Sequence, residues 1–339
     1  MAGKRILFRT CAGGRHGWGN LVRLASFAAY CRDRGGHAGV FVLQGPPEAE
    51  EYLRRRRFEV HRFEDGEEET CEARLLERCG PADLAVMEML DCGPVRQRLL
   101  ACHASRVVVF DDLMDHEYVG DLVVCGQALP DYGNQAIAAP ETHFLTGPEY
   151  FLLDPRFQNL PLREEYGELR RIVVAFGGGA YDVALLKAAL ALKGLGHDDP
   201  TVVLGYAATD MAARLQAILP HARVLHGVDD MASCLRQHDL ALVSAGYLKI
   251  EAAAAGIPAV MLATQWHQIP LGEEFTRLCG MPFAGYMSFV RPETLQQHIT
   301  ALRDPERRHA RAEAARACVD GQGMRRVYDA MDQLFRMDA

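Results

Sequence analysis

The chain has 339 residues, 49% of them apolar and 24% charged, with a formal net charge of −8 when the histidines are neutral. The length exceeds one ordinary core and suits two domains of roughly 150 residues each, and the acidic balance argues against a nucleic-acid partner. No apolar run is long enough for a membrane span, and MAGKRILF passes into a strand pattern without a signal-peptide core, so a soluble cytoplasmic protein is expected. The ten cysteines form no CxxC pair and no metal-ligand spacing, so no metal site is expected.

In chain order, RILF opens a first strand and ASFAAYCRDRGG reads as a first helix. Between them FRTCAGGRHGWGNLVR, Phe8 to Arg23, crowds Gly13, Gly14, Gly17 and Gly19 into the turn. GVFVL, FEVHRF, LAVMEM, VVVF and DLVVC follow as short apolar runs alternating with helical patterns, which reads as a buried parallel sheet with crossover helices. Asp111 and Asp112 close the VVVF run. The passage around residues 150 to 170 is rich in Pro, Gly and charge and reads as an interdomain connection. The alternation then restarts with RIVVAFGGG, TVVLGY, ARVLHG and DLALVSAG. Two doubly wound α/β domains are implied, with ligand expected in a cleft where the carboxyl ends of their strands face each other. The stretch from PETLQQ to MDQLF reads as helical throughout.

Two loops of the second half carry candidate chemistry. In AFGGGAYD, Gly177, Gly178 and Gly179 leave no Cβ to block the backbone, so exposed N–H groups and the next helix start can approach a phosphate. The alternative is a tight turn. The loop matches neither GxGxxG nor GxxxxGK[ST], which counts against an ordinary dinucleotide or ATP site. In VSAGYLKIEAAAAGIPAVMLATQWHQ, the small residues Ser244, Ala245 and Gly246 open a helix, and Gln268 lies just past the following strand. Glu251 can accept both hydroxyls of a ribose, or it complements the helix dipole. No GxSxG elbow supports a serine hydrolase.

VVVFDDLMDHEYVGDLVV, FLTGPEYFLLDPRF, IVVAFGGGAYD and the EAAAAGIPAV block ending near Gln268 together resemble, in order and spacing, the nucleotide-sugar hydrolases of pseudaminic acid biosynthesis and their spore-coat polysaccharide relatives. The chain is more distantly similar to the lipid II N-acetylglucosaminyltransferase. The resemblance runs from Arg5 to about Gln268 and implies the GT-B fold, two Rossmann-like domains. It further implies a substrate domain over 1–155, a nucleotide-binding domain over 168–315, and a C-terminal helix over 316–339 packing back toward the first domain. By resemblance, Gly227 and Val228 meet the base of a nucleoside diphosphate, most simply UDP, Ala245 and Gly246 its phosphates, Glu251 its ribose, and Gln268 the sugar or diphosphate. The family needs no metal, and the UDP-sugar is a substrate, so no cofactor is implied.

The opening loop departs from that pattern. The hydrolases carry an aspartate in this loop and a GxGHxxR motif whose histidine lies beside the scissile bond. Aligning GxGHxxR with GWGNLVR keeps Gly17, Gly19 and Arg23 but puts Asn20 at the histidine and Cys11 at the aspartate. An amide cannot carry a proton near neutral pH, whereas an imidazole can. His16 and Asp111 are the remaining candidate bases. The expected activity is transfer of a sugar from a UDP-sugar to an acceptor in bacterial glycan or secondary-metabolite synthesis. The alternatives are a UDP-sugar hydrolase with a substituted catalytic residue, and a nucleotide-sugar-binding protein without chemistry.

Overall fold

The computed structural model describes residues 3–129, 137–179, 181–205 and 211–336, with Arg15, Glu68, Glu69 and Thr70 described by their backbone alone. Ala180 of the AFGGGAYD loop and Tyr206 of TVVLGY lie outside the described residues. The chain divides into two compact units, one of Met1–Gln127, Asp131–Asp154 and Gln322–Ala339, the other of Ala128–Pro130 and Pro155–Gly321.

The first unit holds strands β1 (Arg5–Cys11), β2 (Ala38–Gln44), β3 (Glu59–Phe63), β4 (Leu84–Glu88), β5 (Val107–Phe110), β6 (Leu122–Cys125) and β7 (His143–Thr146). They form one parallel sheet in the order β3-β2-β1-β4-β5-β6-β7. Its crossover helices are α1 (Gly19–Gly35), α2 (Pro47–Arg55), α3 (Glu68–Cys79) and α4 (Pro94–Ala101). The central strands are buried on both faces, which is why they read as unbroken apolar runs.

The second unit holds β8 (Ile172–Ala175), β9 (Thr201–Leu204), β10 (Arg223–His226), β11 (Leu240–Ser244), β12 (Ala259–Ala263) and β13 (Phe283–Tyr286). Their order, β10-β9-β8-β11-β12-β13, is again parallel and doubly wound. The helices are α5 (Asp182–Gly194), α6 (Met211–Ile218), α7 (Met231–Arg236), α8 (Tyr247–Ala255), α9 (Gln268–Cys279), α10 (Pro292–Ala301) and α11 (Pro305–Cys318). In both sheets the winding reverses beside the first strand, between β1 and β4 and between β8 and β11. Ligands of open α/β sheets bind outside the carboxyl ends of the strands at such a switch point.

The C-terminal stretch departs from the expectation of continuous helix. It breaks at Asp304, whose side chain caps α11 by accepting the Glu306 N–H ahead of Pro305, and again near Gly321 at φ 77°. Residue 316 falls inside α11. A separate helix, α12 (Gly323–Arg336), places Met324, Val327, Met331 and Leu334 in the core of the first unit with Ile6, Phe8, Leu24 and Phe41. Burying four such side chains contributes roughly 6–12 kcal/mol before entropy.

Candidate functional site

The opening glycine loop is closed on itself. The Gly13 N–H donates to Gly17 O at 2.7 Å and the His16 N–H to Gly13 O at 2.9 Å, making a 3-10 turn over Gly14–His16. Gly13 sits at φ 78°, and a Cβ there would lie 2.8 Å from the Pro46 ring, so only glycine fits. Gly17 and Gly19 then deliver the chain into α1, whose second residue is Asn20.

Asn20 and Cys11 meet. The Cys11 thiol lies within hydrogen-bonding reach of the Asn20 side chain and of the Leu90 backbone. Burial pushes this thiol up, against the lowering influence of Arg9, so it stays protonated near neutral pH. The two positions at which the family pattern puts an acid and a base therefore hold a neutral thiol and an amide, packed together.

Arg23 is built into the first unit as a structural cation. Its Nε donates to Glu88 Oε1 at 2.7 Å, and its two terminal nitrogens donate to both oxygens of Asp112 at 3.1 and 3.0 Å. The guanidinium also lies 4.9 Å from the centre of the Phe151 ring. This bidentate fork explains the paired aspartates at the end of β5: Asp112 anchors α1 through Arg23.

Asp111 is equally committed. One oxygen accepts the Leu113 and Met114 N–H groups, and the other accepts the Tyr118 hydroxyl at 2.8 Å and His116 Nδ1 at 2.9 Å. Burial alone would raise this carboxyl, but the His116, Leu113 and Tyr118 hydrogen bonds outweigh it and hold it below its usual value. A carboxylate so satisfied is a poor base. His16, the other candidate base, is nearly buried and turns Nε2 toward Asp65 Oδ1 at 3.7 Å. Asp65 accepts Gln44 Nε2, Gln44 Oε1 accepts Arg9, and Arg9 pairs with Glu72 at 2.6 Å. His16 thus joins a chain of polar contacts that neither sequence motif nor spacing announces.

Among the described residues, Asp111, Asp115 and His116 bring potential metal-ligand atoms within 4.8 Å of one another. The direct Asp111–His116 hydrogen bond already joins two of them. That hydrogen bond raises the His116 imidazole above its ordinary value, against the effect of burial. A raised folded-state pKa stabilises the fold fully below about pH 6.5, and the contribution is lost as pH rises through the raised value. His116→Gln should therefore lower the melting free energy by about 1–2 kcal/mol at pH 6 and by clearly less at pH 9, as read by thermal denaturation at the two pH values.

In the second unit both predicted glycine loops come to the switch point, one after β8 and one after β11. Gly205, after β9, seats the Gly177–Gly179 loop: a Cβ there would meet Gly177 O at 2.5 Å and Gly178 Cα at 2.6 Å. The sequence reading missed that role, although a glycine directly after a predicted strand was its signal.

The helix starts behind these loops differ electrostatically. α5 has Asp182 in its first turn, paired with Arg214 at 2.9 Å, and α7 is capped by Asp230, which accepts the Ser233 N–H at 2.9 Å. α8 has no acidic residue in its first turn, and its N-cap, Gly246, has no side chain to cap it. Helix starts favour anions, and an acidic first-turn residue offsets that preference behind the Gly177–Gly179 loop but not behind the Ser244–Gly246 loop. Gln268 stands beside it. Its Oε1 accepts the Thr264 N–H at 2.9 Å, and its amide nitrogen lies 3.0 Å from where a Cβ on Gly246 would be. Glu251 is half-buried one turn into α8, while Gly227, at φ 59°, and Val228 follow β10 on the other side of the switch point.

No known family model matches the chain. In sequence it is 25% identical over 243 residues to the spore coat polysaccharide biosynthesis protein SpsG of Bacillus subtilis (strain 168), covering 69% of this chain and 71% of that protein. Among solved structures, Acinetobacter baumannii MurG superposes with a TM-score of 0.70 at 18% identity, covering 97% of this chain and 99% of MurG. The calicheamicin glycosyltransferase CalG4 gives 0.66 at 16% identity with 98% of each chain covered. Anabaena HepE, solved in complex with UDP and glucose, gives 0.63 at 14% identity, covering 97% of this chain and 99% of HepE. The chain is thus similar in sequence to SpsG and has the GT-B fold of these solved structures.

Proposed function

We propose that the protein is a GT-B glycosyltransferase that binds a UDP-sugar on its second unit and passes the sugar to an acceptor in polysaccharide or secondary-metabolite assembly. The observation that carries the donor site is the start of α8: small residues at the switch point, no acidic residue in the first turn, and Gln268 alongside. There the diphosphate accepts backbone N–H groups, with Glu251 facing the ribose, Gly227 and Val228 the base, and Gln268 the first sugar. The helix start meets the diphosphate charge, so the reaction as proposed uses no metal.

Transfer is favoured over hydrolysis by the Cys11–Asn20 contact. A neutral thiol and an amide offer no group that takes a proton from water, which fits a reaction in which an acceptor hydroxyl held in place attacks the anomeric carbon, UDP leaves and the hydroxyl proton passes to the departing diphosphate. Incubation of the protein with UDP-sugars should release UDP at least about tenfold faster with an acceptor glycan than in water alone, a modest share of what positioning a reactant can contribute. Equal UDP release with and without any acceptor would assign the protein to hydrolysis. The double variant Cys11→Asp with Asn20→His is expected to gain UDP release in water over the parent protein. No gain in a folded double variant that still binds UDP would contradict the role given to these two positions.

A further inference from the structure

Lys249 lies in the first turn of α8 and is wholly buried, an unusual place for an ammonium group. Its Nζ donates to Ala245 O at 2.7 Å and to Gly246 O at 3.2 Å, and it lies 5.6 Å from the centre of the Phe275 ring of α9. Its charge is felt by the neighbouring Cys279 thiol, which it lowers against the dominant effect of burial. The side chain therefore folds back beneath the loop that opens its own helix.

We infer that Lys249 is the positioning residue of the phosphate site, holding the Ala245–Gly246 loop in an anion-binding posture from below and setting a fixed positive charge under the diphosphate. The geometry follows from the planar trans peptide. The C=O of Ala245 and the N–H of Gly246 belong to one peptide unit and point in opposite directions, as do the C=O of Gly246 and the N–H of Tyr247. With both carbonyls drawn onto Nζ, both N–H groups face away from it, on the side where a ligand approaches the start of α8. The Ala245 carbonyl, held on Nζ, is thereby kept from turning toward the ligand and repelling it. A buried ammonium is screened less than a surface one, so its field reaches a phosphate through the thickness of one loop. The arrangement differs from a lysine that touches phosphate directly, because here the loop stands between them.

The inference rests on the UDP site proposed above and adds a dependence on ligand charge that a purely structural role would not produce. Calorimetric titration of uridine, UMP and UDP into the parent protein, Lys249→Met and Lys249→Gln tests it. For both variants the affinity for uridine should change less than about twofold, while the losses grow with ligand charge and reach about tenfold or more for UDP. Lys249→Gln keeps an amide donor for the two carbonyls, so it carries the test if the methionine variant does not fold. Unchanged UDP affinity in a folded variant, or an equal loss for all three ligands, would overturn the inference. A parent protein that binds none of the three overturns the UDP reading itself.

Discussion

Gly246→Asp should abolish UDP binding while leaving the protein folded. Position 246 is the N-cap of α8, at φ −85°, and lacks a side-chain cap. Aspartate is among the best N-cap residues, and its gain over the glycine it replaces is a few tenths of a kcal/mol. A Cβ here would lie 3.0 Å from the Gln268 amide nitrogen, the flexible end of a side chain that can donate to the new carboxylate. The same carboxylate occupies the helix start where the diphosphate is placed, and juxtaposed like charges cost several kcal/mol. A loss of UDP affinity of about 100-fold or more is expected, equivalent to about 2.7 kcal/mol. Calorimetry and thermal denaturation of the same sample check both halves; a variant that melts earlier and binds UDP normally would contradict the placement.

Arg23→Met should act in the opposite sense, on stability before ligand. Arg23 is buried between Glu88, whose side chain is 2% exposed, and Asp112. Removing one partner of a buried ion pair costs about 3–5 kcal/mol, because the remaining carboxylates lose the cation that offset their desolvation. For a unit of this size the expected fall in melting temperature is roughly 10 °C. Lysine should restore only part of it, since an ammonium cannot span Asp112 with a planar fork. An Arg23→Met protein with an unchanged melting temperature and weakened sugar binding would return Arg23 to the substrate.

The sequence exposes most of the architecture because parallel strands buried on both faces leave continuous apolar runs: VVVF, LVVC, IVVA and LALVS are all strands with every residue buried. The strands that escape notice are the outer ones. β7, HFLT, is largely exposed, and β13, FAGY, is half-exposed and pairs with β12 through a register shift, so neither produces an apolar run. Sequence separation limits the reading of the site. Arg23 meets Asp112 across 89 positions, and Cys11 meets Asn20 only because the loop between them closes on itself. The choice between the two glycine loops depends on which helix start already holds an acidic group. Asp182 and Asp230 stand in the sequence beside their helices, but their carboxylates become decisive only once the switch point sets α5, α7 and α8 against the same sheet edge. Lys249 is hidden for the same reason: in sequence it looks like a surface lysine of a short helix, and in the fold it is buried beneath the loop.

A crystal structure of the protein with UDP bound tests the central claim most directly. The diphosphate should lie at the start of α8, within hydrogen-bonding distance of the Gly246 or Tyr247 N–H groups, with Gln268 beside it and the ribose toward Glu251. A diphosphate seated on the Gly177–Gly179 loop at the start of α5, or on the opening loop at the start of α1, would contradict it.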